Sequence, residues 1–194
     1  MPTPSASRCI MTELVLPNDT NVLGNLMGGR LLHQMDICAA ITAQRHTERV
    51  CVTASVDNVE FASPIKMGEV VVLESHVNRA FRTSLEVEIN VWAEDPKKRT
   101  RRKCNRAFYT FVAVDEDDRP VDVPPLEPET EEEQRRYEAA QRRRELRLLM
   151  AGRIKIQDAQ HLTKLVLDAL EAAHRADATS HPEAHADPAQ ASTP

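Results

Sequence analysis

Apolar and polar positions change period along the chain, and each change marks an element. Cys9 to Leu16 reads as a short strand, closed by Pro17-Asn18-Asp19. From about Gly29 to His46, Leu31, Met35, Cys38 and Thr42 recur at helical spacing along one stripe. At 1.5 Å per residue that helix is about 27 Å long. From Val50 the period falls to two, with apolar residues at 50, 52, 54 and 56. The phase then slips to Val59 and Phe61, and a one-residue slip near Asp57-Asn58 is what a β-bulge produces.

Gly68 precedes a strand with Val71, Leu73 and Val77 inward and Glu74, His76 and Asn78 outward. After a turn near Phe81-Arg82, Leu85, Val87, Ile89, Val91 and Ala93 alternate with Glu86, Glu88 and Asn90. That alternation predicts a long, half-buried antiparallel strand. The last strand, about Arg102 to Val114, is apolar on both faces after Ala107, which predicts cover on both sides there. One long helix among long strands with short connections suits an α+β fold, a curved antiparallel sheet around a single central helix.

Beyond the strands the signals become helical. Pro120 to Pro128 is a proline- and acid-rich linker, and Thr130-Glu131-Glu132-Glu133 is a capping box. The box predicts a helix from about Glu131 to Met150, with Glu131–Arg135, Glu132–Arg136 and Glu138–Arg142 as favourably ordered pairs. Its polar circumference places it on the surface or against a partner. A second helix, about Asp158 to His174, carries Leu162, Leu165, Val166, Ala169, Leu170 and Ala173 in one stripe. Residues 1–8 and 177–194 lack periodicity and are expected to be disordered. The organisation is therefore a domain over 1–125, a helical extension over 126–176 and a tail over 177–194.

Composition narrows the class. A hydrophobic content of 41% with 28% charged residues is that of a soluble globular protein. The net charge of −5 argues against general nucleic-acid binding. No apolar run approaches the roughly 18 residues that cross a membrane, and the N-terminus lacks the apolar core of a signal peptide. Cys9, Cys38, Cys51 and Cys104 are scattered, with no metal-binding spacing, so reduced thiols in a cytoplasmic protein are expected.

The stretch Asn21 to Asp36 carries the candidate chemistry. A glycine-punctuated loop turns into the long helix at Gly28-Gly29, where the first unpaired N–H groups and the positive end of the dipole lie. Asp36 follows two turns later, beside Leu32, Ala39, Ala40 and Ala43, in small apolar surroundings. Amides that polarise a carbonyl beside a partly desolvated acid suit hydrolysis of an activated acyl group.

The run P-N-D-T-N-V-L-G-N-L-M-G-G-R-L-L-H-Q-M-D resembles the acyl-CoA hydrolases of the hotdog-fold thioesterase superfamily, in the bacterial short-chain and brain-type branch. F-A-S-P-I-K-M-G-E-V-V, E-V-E-I-N-V-W-A-E-D and F-Y-T-F-V-A-V-D match later strands of that family in order, over about Met11 to Pro125. The resemblance implies a hotdog fold and hydrolysis of acyl-CoA to free acid and coenzyme A, without metal or redox cofactor. It implies Asp36 as general base or nucleophile, two routes the sequence does not separate. It also implies a loop asparagine from a second protomer, best matched by Asn21, with Asn25 a second candidate, and an oxyanion site at the amides of Gly28 and Gly29. Val59, Phe61, Ser63 and Pro64 match a region lining the ligand site. The family forms dimers that often assemble into hexamers, and a lone sheet with open edges suits edge-to-edge pairing.

Two further groups bear on binding. Lys97 to Arg106 holds seven basic side chains, including Lys97, Lys98, Arg101 and Arg102, and suits either coenzyme A phosphates or a solvated hairpin. Arg82-Thr83-Ser84 is a smaller candidate for the same phosphates. His33, three residues before Asp36, offers the acid–base pair that a hydratase or dehydratase of the same fold requires. His46 and His76 read as surface residues. A non-catalytic acyl-CoA sensor is the other alternative, and the carboxylate of Asp36 argues against it.

Overall fold

The central stripe of helical spacing forms α2, Gly28–Thr47, one residue longer at each end than its pattern marks. Around it curls an antiparallel sheet of β1 (Cys9–Leu14), β2 (Val50–Val56), β3 (Val70–Ala80), β4 (Ser84–Asp95) and β5 (Thr100–Val114), in the order β1-β3-β4-β5-β2. The computed structural model describes residues 2–57 and 59–180. They divide into two units, Met1–Ala140 and Gln141–Pro194.

The core of the first unit lies between the concave face of the sheet and α2. Met35, Cys38, Ala39 and Ala43 meet Leu73, Val87, Ile89 and Phe111 there, all with 0% exposure. Three of those four helix residues are small, so the helix axis approaches the strands closely. In β5, Tyr109, Phe111 and Ala113 are buried while Phe108 and Val112 are half-buried, giving the two-sided cover expected after Ala107.

The bulge in β2 lies earlier than the sequence suggests. The register against β5 shifts between Thr53 and Ser55, so the extra residue is Ala54 and not the Asp57-Asn58 region; Asn58 itself lies outside the described residues. The inner face is consequently Cys51 and Thr53 before the bulge and Val56 after it, opposite Ala113, Phe111 and Tyr109. Val50 and Val52 point away from α2 and are 63% and 46% exposed on this edge strand.

The convex face is also covered, which the alternation of Glu86, Glu88 and Asn78 with apolar residues does not suggest. Glu86 is 0%, Asn78 2% and Glu88 4% exposed. A second register shift, between Val77 and Arg79, turns Asn78 toward the two acids, and its Nδ2 donates to both. The cover comes from residues expected to be disordered or on the surface. Pro4–Ser7 form a short helix, α1, with Pro4 and Ser7 buried. Residues of α3, Glu131–Met150, lie over β3, where the Arg79 guanidinium stacks 4.0 Å from the Tyr137 ring. The capping box is present as predicted, with Glu133 N–H donating to Thr130 Oγ1 and Thr130 N–H to Glu133 Oε2. Of its predicted ion pairs, Glu132–Arg136 forms at 2.9 Å, while Arg135 Nε donates to the carbonyl of Glu131. The linker before it is partly core, since Val123 and Leu126 are buried.

In the second unit, the C-terminal part of α3 is followed by α4, Gln160–Ser180, six residues longer at its end than predicted. The buried Glu145 carboxylate pairs with His161 Nδ1 at 2.6 Å and accepts the Leu162 N–H at 2.8 Å, holding the start of α4. Leu165, Val166 and Leu170 of the apolar stripe are about half exposed. Residues 181–194 of the expected tail lie outside the described residues.

Burial alone pushes the Glu88 carboxyl up, but His76 and Arg106 (2.8 Å) outweigh it and hold the group well below the ordinary carboxylate range. A carboxyl depressed in the folded state adds stability above its unfolded pKa of about 4.3, and that stability is lost as pH falls below it. Arg106→Ala should therefore lower Tm by several degrees at pH 7 and by clearly less at pH 3. Differential scanning calorimetry at the two pH values checks this, and an equal loss at both contradicts it.

Candidate active site

The loop before α2 is built by one asparagine. Asn21 Oδ1 accepts the N–H groups of Leu23 (2.9 Å) and Asn25 (3.2 Å), while its own N–H donates to the Asn25 carbonyl at 2.8 Å. Gly24 closes the turn at φ +72°, a conformation L side chains disfavour. The loop is tied to the helix by Asp19, which pairs with Arg30 at 2.8 Å and accepts the Met27 N–H through its carbonyl. Asn21 itself is exposed, and its Nδ2 has no partner among the described residues.

Met27 is the N-cap of α2, and no side chain caps the helix. The amides of Gly28 and Gly29 thus open the helix with no capping oxygen in front of them. The two glycines differ in what they allow. A Cβ at Gly28 would lie 3.3 Å from the Phe61 ring, so glycine lets Phe61 pack there; a Cβ at Gly29 would meet nothing within 4 Å, leaving an approach open.

Asp36 lies two turns further, half-buried in the wall of a pocket of about 490 Å³ lined by Leu32, His33, Asp36, Val56, Asp57, Val59 and Tyr109. The Thr53 hydroxyl donates to Asp36 Oδ1 at 2.7 Å. Oδ2 has no hydrogen-bond partner among the described residues. One carboxylate oxygen is therefore fixed and the other is available to a group in the pocket. Across from it, burial and then the charge of Asp36 push the Tyr109 phenol up to about 12.

The other expected residues separate into groups. Val59 lines the pocket with Asp36, and Phe61 covers Gly28. Ser63 and the Pro64 carbonyl are bound by Arg102, at 3.3 and 2.6 Å. Arg82 is exposed beside Asp122 at 3.7 Å, Thr83 is half-buried in the turn, and Ser84 is buried as the first residue of β4. None of these three lines the Asp36 pocket. His33 does, although no hydrogen bond joins it to Asp36 among the described residues.

Much of the basic run is neutralised within the sheet. Arg101 pairs with Glu74 at 2.8 Å and stacks on Trp92, Arg102 binds Glu69 at 2.6 Å, and Arg106 binds Glu88. The Arg102 bond holds the Glu69 carboxyl below its ordinary range. Lys97 and Lys98 stay exposed at the β4–β5 turn, with Asp95 3.7 Å from Lys98. That turn is nine residues from Tyr109 along β5, about 30 Å at 3.3 Å per residue. His46 and His76, read from sequence as surface residues, are not. His46 is 2% exposed, bonded to the Pro124 carbonyl at 2.9 Å and pushed down by burial; His76 lies half-buried 3.7 Å from Glu88.

Thr53, which bonds Asp36, and Tyr109, Val56 and Asp57, which line its pocket, are residues that sequence reasoning missed as parts of the site. Placing the bulge after Val56 puts Val52 and Ala54 inside and Thr53 outside. The available signal was Cys51 and Thr53, two small polar residues suited to face a helix of alanines.

With this geometry, comparisons fall into one group. The thioesterase superfamily matches residues 23–100. An acyl-CoA thioester hydrolase of Bacillus subtilis is 42% identical over 127 residues, covering 66% of this chain and 74% of its own. A hexameric acyl-CoA thioesterase, solved without ligand, superposes with a TM-score of 0.75 at 44% identity, covering 77% of this chain and 96% of that one. An acyl-CoA hydrolase of Staphylococcus aureus, solved with butyryl coenzyme A, coenzyme A and coenzyme A disulfide, superposes with a TM-score of 0.72 at 33% identity, over 84% and 98% of the two chains. The same enzyme has been solved with an aspartate, a threonine and an asparagine each replaced by alanine. A sheet curled round one helix, an uncapped glycine N-terminus, a half-buried aspartate and this similarity agree: the chain belongs to the hotdog-fold acyl-CoA thioesterases of the thioesterase superfamily.

Proposed function

We propose that this protein hydrolyses acyl-CoA thioesters to a carboxylic acid and coenzyme A, with Asp36 as general base. The observation that carries this is the Asp36 carboxylate on the pocket wall, one oxygen held by Thr53 and the other without a partner among the described residues. Water gives its proton to Asp36 and its oxygen to the thioester carbon. The C–S bond then breaks, and the coenzyme A thiolate takes the proton that Asp36 received, which restores the carboxylate. Spacing supports the assignment. The asparagine, aspartate and threonine replaced in the S. aureus enzyme stand 15 and 17 residues apart, as do Asn21, Asp36 and Thr53. The hydratase alternative is less well served, because His33 and Asp36 are not joined.

The oxyanion forms opposite backbone amides, and one such donor is worth about 2.7–4 kcal/mol. Gly28 and Asp36 are eight residues apart on one straight helix, about 12 Å at 1.5 Å per residue. A single carbonyl needs the base and the oxyanion donors each within roughly 3 Å. We therefore assign the amides of Gly28 and Gly29, with Asn21 and Asn25, to the Asp36 of a second protomer. The exposed edge of β2 is the surface for that pairing, giving a dimer that can build a trimer of dimers. Lys97 and Lys98, too far along β5 to serve their own pocket, are candidates for the coenzyme A phosphates of a neighbour. Buried free thiols at all four cysteines suit a cytoplasmic setting.

Asp36→Asn should lower kcat by about 10²–10⁴-fold, the usual worth of general base catalysis. Thr53→Val should lower kcat more than it raises KM, since the carboxylate loses its orientation. Thiol release from acetyl-, butyryl- and palmitoyl-CoA reads both, and near-normal turnover in Asp36→Asn refutes the assignment. Single-turnover hydrolysis in ¹⁸O-water should place the label in the first product acid, whereas direct attack by Asp36 would place it in the protein.

The shared site has its own test. Asp36→Ala and Asn21→Ala homodimers should each be nearly inactive. After unfolding, equal mixing and refolding, about half the dimers are mixed, and each has one intact site of two, so activity should return to roughly a quarter of wild type. No recovery, with mixed dimers confirmed by mass, would rule out a site built from two chains.

Lys97→Ala with Lys98→Ala should raise KM for acyl-CoA at low salt, with kcat nearly unchanged and the effect shrinking at high salt. An unaltered KM at low salt assigns the turn to solvent.

A further inference from the structure

Tyr109 lies on β5 directly opposite Val56, and both line the Asp36 pocket. Its ring is held in the core, stacked on Phe111 with centroids 6.2 Å apart, and the residue is 1% exposed. The hydroxyl has no hydrogen-bond partner among the described residues. Nor is it one of the fully enclosed unpaired polar atoms, such as Asn78 Oδ1 on the convex face. Tyr109 nonetheless lines the pocket, and the hydroxyl is the one polar atom of its side chain. Phe111, next along the same inner face, has the same ring without the hydroxyl, so packing alone does not call for the oxygen.

The phenol keeps its proton at any working pH, because burial and the charge of Asp36 both oppose ionisation. It is thus a hydrogen-bond donor to whatever fills the pocket. The rest of that wall is Leu32, Val56 and Val59, which accept hydrocarbon, with the polar His33 and Asp57 beside them. A plain alkyl chain entering here leaves the donor unsatisfied. A chain bearing a neutral oxygen restores the pair, whereas a carboxylate-bearing chain meets the like charge of Asp36. We infer that Tyr109 makes this pocket select acyl groups carrying a hydroxy or oxo oxygen over plain alkyl chains of the same length. The inference rests on the hydrolase reading of the same pocket and adds a substrate class to it.

The experiment compares kcat/KM for butyryl- and hexanoyl-CoA with their 3-hydroxy and 3-oxo counterparts, in wild type and in Tyr109→Phe. In at least one matched pair wild type should favour the oxygenated substrate by about tenfold or more, since sites that hydrogen-bond a substrate oxygen discriminate strongly. In Tyr109→Phe that ratio should fall to about one or below, the alkyl substrate gaining and the oxygenated one losing, chiefly through KM. A wild-type ratio at or below one in every pair overturns the inference, and this holds even should Tyr109→Phe fold poorly. A high ratio that survives the substitution also overturns it, by assigning the preference to another residue. Thiol release with an unchanged ratio removes the inference alone; no thiol release from any substrate removes the hydrolase reading with it.

Discussion

Everything at the pocket depends on the rotation of α2 in the hollow of the sheet. Met35, Cys38, Ala39, Thr42 and Ala43 are all 0% exposed, and a fully buried side chain the size of Met contributes about 1.5–3 kcal/mol. Rolling the helix by one residue turns it about 100° and would expose that stripe. Two polar groups fix the angle further: the Thr42 hydroxyl lies 2.7 Å from Ser75 Oγ and the Cys38 sulfur 3.2 Å from it. Ser75 also donates to the Cys38 carbonyl. Asp36 sits at the margin of the buried stripe, so the packing that holds the helix also aims the carboxylate at Thr53.

The sheet meets a different demand on its other face. Glu86 and Glu88 are side chains that normally stay in water, and burying an unpaired carboxylate is costly. Here Asn78 and Arg106 supply bonds that water would have made, His76 stands 3.7 Å from Glu88, and α1 and Tyr137 of α3 pack on the neighbouring strand β3. The pattern of alternation thus describes which face each residue is on, while cover is decided by segments distant in sequence.

That distinction sets how much was legible. The helix, the five strands and the curled antiparallel sheet follow from period and length, and the capping box located the start of α3. The place of Asp36 two turns into the helix was also readable, since helical geometry fixes it locally. Its surroundings are more polar than the small apolar ones expected, with Thr53 bonded to it and His33, Asp57 and Tyr109 in the same pocket wall. What could not be read were non-local facts. Residues 2–8 look patternless because their order comes from contact with β3 and α2, and Arg102 looks free because Glu69 is 33 residues away. The bulge at Ala54 was missed because Ala54 and Val56 continue an apolar alternation across it; only the register against β5 shows that the strand has changed face. Thr53, and with it the orientation of Asp36, disappeared behind that error.

The same bulge links the pocket to the edge of the sheet. Before it, β2 turns Val50 and Val52 outward at an open edge; after it, Val56 turns in beside Tyr109. One extra residue therefore lets a single strand present an exposed apolar edge at its start and pocket wall at its end. In the proposed pairing, the helix that carries a base cannot also bring its own N-terminal amides to the same carbonyl, because the rise of an α-helix separates them. In that pairing the edge that needs covering and the site that needs completing would be satisfied by the same neighbour, and an isolated protomer would hold only half of each site.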